Sequence, residues 1–170
     1  VAIEINSFSK NAGFTGVRLG WTIVPVCLES DNAETGTIHR LWNRRQCTYF
    51  NGASNISQAG GLMALSEEGR KECRTLVDYY LGNAAIIKEG LEKAGLVCYG
   101  GVNSPYVWAK APRGMGSWEF FDFLLEKAHV VVTPGEGFGK SGEGYVRVSS
   151  YGHREDVEKA VKAIVEHIND

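Results

Sequence analysis

The chain opens on Val1-Ala2-Ile3-Glu4-Ile5-Asn6, where apolar side chains alternate with others as they do along a half-buried strand. The pattern predicts one strand from Val1 to Phe8 and a second from Arg18 to Val24, closed by Pro25. Polar residues from 28 to 37 read as a loop. Helical spacing then predicts a helix from Thr37 to Thr48, a break at Phe50-Asn51-Gly52-Ala53, and a helix from Ile56 to Leu65 capped by Ser54 or Asn55. Ser66-Glu67-Glu68 starts a longer pattern, with Leu76, Tyr79, Tyr80, Ala84, Ile87 and Leu91 in helical register until Gly95. A helix of about thirty residues exceeds what one small core requires, so it is expected to span and connect two domains.

After Gly95 the periodicity changes. Strands are predicted over Leu96 to Tyr99, Tyr106 to Ala109, Val130 to Thr133 and Tyr145 to Ser149. Helices are predicted over Ser117 to Ala128 and Arg154 to Ile168, with Ser117 and His153 at their starts. Mixed strands and helices of this kind make an α/β layer with its own core.

Composition adds limits. The chain has 170 residues, 44% of them apolar, which favours a packed core over disorder. A net charge of -2 gives no long-range attraction for nucleic acid or a membrane surface, so neither is expected as a partner. The basic pairs His39-Arg40 and Arg44-Arg45 read as a solvated helix face. Cys27, Cys47, Cys73 and Cys98 lie at least 20 residues apart, without metal-ligand spacing, and are expected to be reduced thiols in an intracellular protein. No metal site is expected. The start at Val1, without Met and already inside a strand, points to the C-terminal two fifths of a longer protein.

Two stretches carry candidate chemistry. In Ser7-Phe8-Ser9-Lys10, an amine sits at a strand end among glycines, with Arg18 following between Val17 and Leu19. A strand-turn-strand path would bring Ser7, Lys10 and Arg18 together, and an amine, a hydroxyl and a guanidinium suit a cofactor bearing an aldehyde and a phosphate. A solvated strand-end lysine is the plain alternative. Arg147 shares a strand face with Tyr145 and Ser149, and its plain alternative is an edge-strand arginine. Asn51 by default is a turn or cap residue. The stretch Pro134-Gly135-Glu136-Gly137-Phe138-Gly139-Lys140-Ser141 approaches a phosphate-binding loop, but it lacks the first glycine and a following helix. It reads as a mobile glycine-rich connection.

The motif Ser-Phe-Ser-Lys-x-x-Gly-Phe-x-Gly-x-Arg-x-Gly, from Ser7 to Gly20, resembles the lysine motif of the pyridoxal-phosphate aminotransferases of fold type I, class I/II. The likeness runs through the whole chain. Phe50-Asn51-Gly52-Ala53-Ser54-Asn55, Asn103-Ser104-Pro105-Tyr106-Val107-Trp108, Thr133-Pro134-Gly135 and Gly144-Tyr145-Val146-Arg147-Val148-Ser149 resemble the LL-diaminopimelate aminotransferase branch. The resemblance implies an α/β fold: residues 1–75 as the C-terminal part of the large cofactor-binding domain, 76–94 as an interdomain helix, and 95–170 as the small domain. It implies pyridoxal 5'-phosphate as cofactor and Lys10 as the catalytic, imine-forming lysine. Ser7 and Arg18 would hold the cofactor phosphate, and Arg147 the substrate α-carboxylate. Asn51 would contact cofactor and substrate and reach a neighbouring subunit's site, which makes a homodimer necessary. The family's phosphate-binding glycine turn, ring-stacking aromatic and pyridinium-pairing aspartate would all lie before Val1.

The function so implied moves an amino group between glutamate/2-oxoglutarate and tetrahydrodipicolinate/LL-diaminopimelate in lysine biosynthesis. It would operate in the cytoplasm, or in a plastid of a photosynthetic eukaryote. The 170 residues alone are expected to be inactive. Alternatives are another class I/II aminotransferase (aspartate, aromatic or alanine type) and a non-catalytic regulatory domain of aminotransferase shape.

Overall fold

The computed structural model describes residues 2–168. The chain divides into two compact units, one up to Val77 and one from Asp78 onward.

In the first unit, β1 (Glu4–Ser7) and β2 (Gly20–Ile23) pair antiparallel, with Ser7 opposite Gly20 and Glu4 opposite Ile23. Val1, where the first strand was expected to begin, lies outside the described residues. The path between the strands differs from a simple turn. Ser7 caps a single helical turn, α1 (Phe8–Asn11), its Oγ accepting from the Ser9 N–H at 3.1 Å. Phe8 N–H donates back to Leu19 O at 3.1 Å, so the pairing continues past the strands while the chain between them loops out.

Two helices follow, α2 (Thr37–Tyr49) and α3 (Asn55–Leu65). On α2, Arg40, Arg44 and Arg45 are exposed, whereas His39 turns inward with Nδ1 2.7 Å from Val24 O. Among the described residues of this unit, the buried apolar side chains are Phe8 and Val24. The Phe8 ring lies 4.6 Å from Trp21 and 5.6 Å from Phe14. Gly61 on α3 admits this cluster: a Cβ there would stand 2.4 Å from Leu19 Cδ2. Every residue of β1 is exposed, Ile5 to 79%. A two-stranded hairpin with apolar faces in solvent does not sustain itself alone.

The long helix α4 (Glu67–Lys93) crosses the boundary. Ser66 Oγ accepts from Gly69 N–H at 3.0 Å at its start. At its end Gly95 takes φ +87°, and Leu96 N–H bonds Leu91 O at 3.0 Å. That bond commits Leu96 to the helix end, and β3 (Cys98–Gly100) starts later than the sequence pattern indicates.

The second unit is an antiparallel sheet in the order β3-β4-β6-β5, with β4 (Tyr106–Lys110), β5 (Thr133–Pro134) and β6 (Tyr145–Ser149). The helices α5 (Ser117–Ala128) and α6 (Arg154–Ile168) share its core with α4. Ala84, Ile87 and Leu91 of α4 pack with Phe120, Leu124 and Ala128 of α5, and with Val157, Ile164 and Ile168 of α6. Val107, Ala109 and Val146 come from the sheet. Burying a side chain such as Phe120 or Leu124 contributes roughly 1.5–3 kcal/mol.

Two expectations change here. The run Val130 to Thr133 is strand only from Thr133, because His129 ends α5 at φ +55° and Val130 N–H is bound to Leu124 O at 3.1 Å. The run completes a helix terminus before it can join the sheet. Ser117 starts α5 as expected, and it also serves as a tie: its Oγ donates to Gly142 O at 3.1 Å and accepts from Tyr145 N–H at 3.3 Å. The glycine-rich connection takes defined local structure, 3₁₀ turns at Gly135–Phe138 and Lys140–Gly142. Glycine is required where these turns meet, since a Cβ on Gly142 would lie 2.0 Å from Gly135 O.

Asn83 is fully buried on α4, and its Nδ2 donates to Ser150 O at 3.1 Å and Gly152 O at 3.0 Å. Asn83→Ala leaves both carbonyls unpaired and should cost roughly 1–3 kcal/mol. Lys71→Ala, which removes only an exposed contact to Glu67, should change stability by less than about 0.5 kcal/mol. Urea unfolding of both variants checks the difference. Cys98 gives a pH test: burial, then the Glu92 charge, pushes its thiol up to about 11 against the pull of Lys88. A raised pKa keeps the thiol protonated, so at pH 8.5 the thiolate fraction is below about 1%. Iodoacetamide at that pH should modify exposed Cys27 and Cys47 and spare Cys98, as read by peptide mass spectrometry.

Candidate active site

Lys10 owes its direction to Phe8. With roughly 100° per residue in a helical turn, two residues rotate the side chain about 200°, so an inward Phe8 sends Lys10 outward. Phe8 is buried and Lys10 exposed accordingly. Ser7 is exposed at the cap, and having accepted from Ser9 it retains its O–H as a donor.

Arg18 sits at φ +63°, a left-handed conformation unfavourable for a residue with a side chain. Its surroundings hold it there. Its N–H bonds Phe14 O at 3.1 Å, its Nη1 donates to Thr15 O at 2.6 Å, and Thr15 Oγ1 donates to Ser9 O at 3.0 Å. The structure thus carries Ser7, Lys10 and Arg18 on one internally bonded connection whose ends are pinned by Ser7 opposite Gly20. No Asp or Glu occurs between Glu4 and Glu29, so this stretch has a net positive charge in sequence. The set offers an amine for a carbonyl carbon, and a hydroxyl and a guanidinium for phosphate oxygens.

Asn51 is exposed in the break between α2 and α3. A cleft of about 460 Å³ opens beside it, lined in part by Ile5, Trp21, Trp42, Phe50 and Gly52. Neither Lys10 nor Arg18 lines that cleft, and among the described residues nothing ties Asn51 to Ser7 or Arg18.

In the second unit, Arg147 lies on β6 opposite Trp108 of β4 and Thr133 of β5. It therefore stands on an interior strand, which removes the edge-strand alternative. Strand alternation buries Val146 in the core and turns Arg147 to the other face. There its guanidinium carbon lies 4.4 Å from the ring centroid of Tyr106 and 4.4 Å from that of Phe138. Its Nε is buried without a hydrogen-bond partner among the described residues. A planar cation held by rings and short of acceptors is suited to an incoming oxyanion.

Tyr106 and Phe138 are the neighbours that the sequence pattern did not single out. Tyr106 alternates with Trp108 on one face of β4, a signal that was readable. Phe138 lay inside the stretch read as a loose connection. Tyr106 also faces Tyr151, with ring centroids 5.7 Å apart. Burial first, then the hydrogen bond with Tyr106, pushes the Tyr151 phenol upward against the pull of Arg147, so Tyr151 stays protonated. Among the described residues no group of three or more His, Cys, Asp or Glu could hold a metal ion. No described helix is long and apolar enough to cross a membrane.

A sequence profile described as aminotransferase class I and II matches residues 2–164. An LL-diaminopimelate aminotransferase of Prochlorococcus marinus (strain MIT 9515) is 52% identical over 166 residues, which are 96% of this chain and 41% of that protein. Its namesake from Bacteroides fragilis (strain ATCC 25285) is 53% identical over 165 residues, 96% of this chain and 40% of the relative. The solved structure of L,L-diaminopimelate aminotransferase from Chlamydomonas reinhardtii superposes with a TM-score of 0.89 at 50% identity, covering 98% of this chain and 40% of that one. An aromatic aminotransferase from Pyrococcus horikoshii OT3 gives 0.80 at 26% identity, covering 98% and 43%. The chain thus spans about two fifths of the length of the curated relatives it matches.

The backbone at Arg18 yields a stability test. Glycine adopts a left-handed conformation freely, whereas alanine there bears a cost of about 1–2 kcal/mol. Arg18→Gly and Arg18→Ala lose the same Thr15 contact, so Arg18→Gly should be the more stable by roughly 1 kcal/mol. Urea midpoints of the two variants decide it, and equal midpoints would mean the loop relaxes when Arg18 is removed.

Proposed function

The chain belongs to the class I and II aminotransferases, and from that membership we propose that, within a polypeptide of its relatives' length, it helps move an amino group between glutamate/2-oxoglutarate and tetrahydrodipicolinate/LL-diaminopimelate. The observation that carries this reading is identity of about one half, across nearly the whole chain, with proteins named for that substrate. Its fold is that of the fold type I enzymes. In this reading residues 1–75 are the C-terminal part of a large domain, 76–94 an interdomain helix and 95–170 a small domain. Two such chains pair, with Asn51 reaching the neighbouring subunit's cofactor and substrate. The work takes place in the cytoplasm, or in a plastid.

Pyridoxal 5'-phosphate is the cofactor of this family, and the donor set fits it. The exposed Lys10 amine suits the aldehyde, while the Ser7 hydroxyl and the loop-held Arg18 guanidinium suit the phosphate. When bound, the cofactor ring accepts electron density from the substrate α-carbon. Lys10 holds and moves the proton at that carbon. Arg18 binds as a fixed cation, because its backbone and one N–H are already engaged within the loop. Arg147 orients the substrate α-carboxylate through its N–H fork.

The test uses the full-length polypeptide. Lys10→Ala should lose the visible absorption of covalently held cofactor, and turnover should fall by at least roughly 10²-fold, the lower range for a removed acid–base group. Near-parental turnover would overturn the role of Lys10. Assay of the parent with LL-diaminopimelate, aspartate, aromatic amino acids and alanine fixes the donor: preference for LL-diaminopimelate supports the proposal, preference for another donor corrects the substrate, and turnover with none favours a regulatory domain.

A further inference from the structure

We propose that Tyr106 and Phe138 are positioning residues that hold the Arg147 guanidinium in register for the substrate carboxylate, so that part of the affinity for the amino acid resides in two rings. This rests on the reading of Arg147 as the carboxylate-binding group. An arginine side chain has several rotatable bonds, and freezing them on binding weakens affinity unless they are already ordered. The usual anchor, a neighbouring Asp or Glu, would occupy the N–H groups and offset the charge that the ligand needs. A ring instead contacts the π-face of the guanidinium and leaves the in-plane donors for the ligand. Arg147 has rings: its guanidinium carbon is 4.4 Å from each of the two centroids.

The rings are themselves braced. Tyr106 is fixed in β4, its ring edge-on to Tyr151 at 5.7 Å. Phe138 stands edge-on to Trp108 at 5.3 Å, on the 3₁₀ turn that begins at Gly135. That turn docks closely against the sheet: a Cβ on Gly135 would lie 2.2 Å from Gly142 O, 2.7 Å from Tyr145 O and 3.0 Å from the Trp108 ring. The absence of side chains at 135 and 142 thus brings Phe138 to the arginine. Phe138 is still 50% exposed, so it can be replaced without opening the core.

The experiment compares Tyr106→Leu, Phe138→Leu, the ring-keeping variants Tyr106→Phe and Phe138→Tyr, and Arg147→Lys, all in the full-length enzyme. Each is first checked for a parental circular dichroism spectrum and cofactor absorption. Each leucine variant should raise the KM of the amino donor roughly 5- to 30-fold, the size of one partly desolvated cation–π contact, with kcat within about twofold. Binding of a non-reacting carboxylate, such as maleate, measured by calorimetry should weaken by the same factor. The ring-keeping variants should restore both values. An unchanged KM in both leucine variants, alongside a weakened Arg147→Lys, overturns the ring contribution alone. Parental KM in Arg147→Lys overturns the carboxylate reading and this proposal together. A fall in kcat with KM unchanged, or equal losses in the leucine and ring-keeping variants, likewise overturns it.

Discussion

Phe8 packs toward the space that Gly61 leaves open on α3, and the orientation of the connection between Ser7 and Gly20 follows from that contact. The ring is buried at the first position of a one-turn helix, so Lys10 is carried to the opposite side by helical geometry alone. Leu19 closes on the same glycine, and Ser57 Oγ donates to Val17 O at 3.0 Å, fixing the return limb beside α3. Arg18 then lies between two fastened neighbours, which explains how an unfavourable backbone angle persists there. A candidate reactive amine stands in solvent because an aromatic ring nearby does not.

The second unit solves a related problem with a sheet. Alternation along β4 and β6 sends Val107, Ala109 and Val146 into the core, while Tyr106, Trp108, Tyr145 and Arg147 occupy the other face. The charged group is therefore ordered by contacts with π-faces on a surface that the core itself has made flat and rigid. Ordering and charge are separated: the rings supply the first without cancelling the second.

Much of this was legible in the sequence. Helical spacing located α2, α3, α5 and α6 closely, and the uninterrupted register from Leu76 to Leu91 marked the long α4. The family showed in the Ser7 to Gly20 motif, and the residue types there suggested the candidate chemistry proposed for Lys10. What escaped was set by contacts between distant parts. The apolar run Val130 to Val132 has strand character, yet the left-handed His129 and a bond to Leu124 assign it to a helix end. Glycines from 135 to 144 looked like freedom, but Gly135 and Gly142 are small because they touch each other. The contact of Phe138 with Arg147 could not be read because that segment showed no period. The edge-strand alternative for Arg147 failed because strand order in a sheet is not written locally.

The interior place of β6 has a consequence for how this surface can change. An added or lost residue in that strand would reverse its faces, sending Val146 outward and a guanidinium into the core. β4 pairs with β6 along all five of its residues, and β5 adds a second partner at Val146 and Arg147, so a shift would have to break pairing on both sides at those two positions. A change of length at Val146 or Arg147 would therefore disturb both the core and the ring-bearing face. Diversification at this position must proceed by exchanging side chains on a fixed frame, or by altering the glycine-rich turns, whose geometry can move Phe138 without moving Arg147.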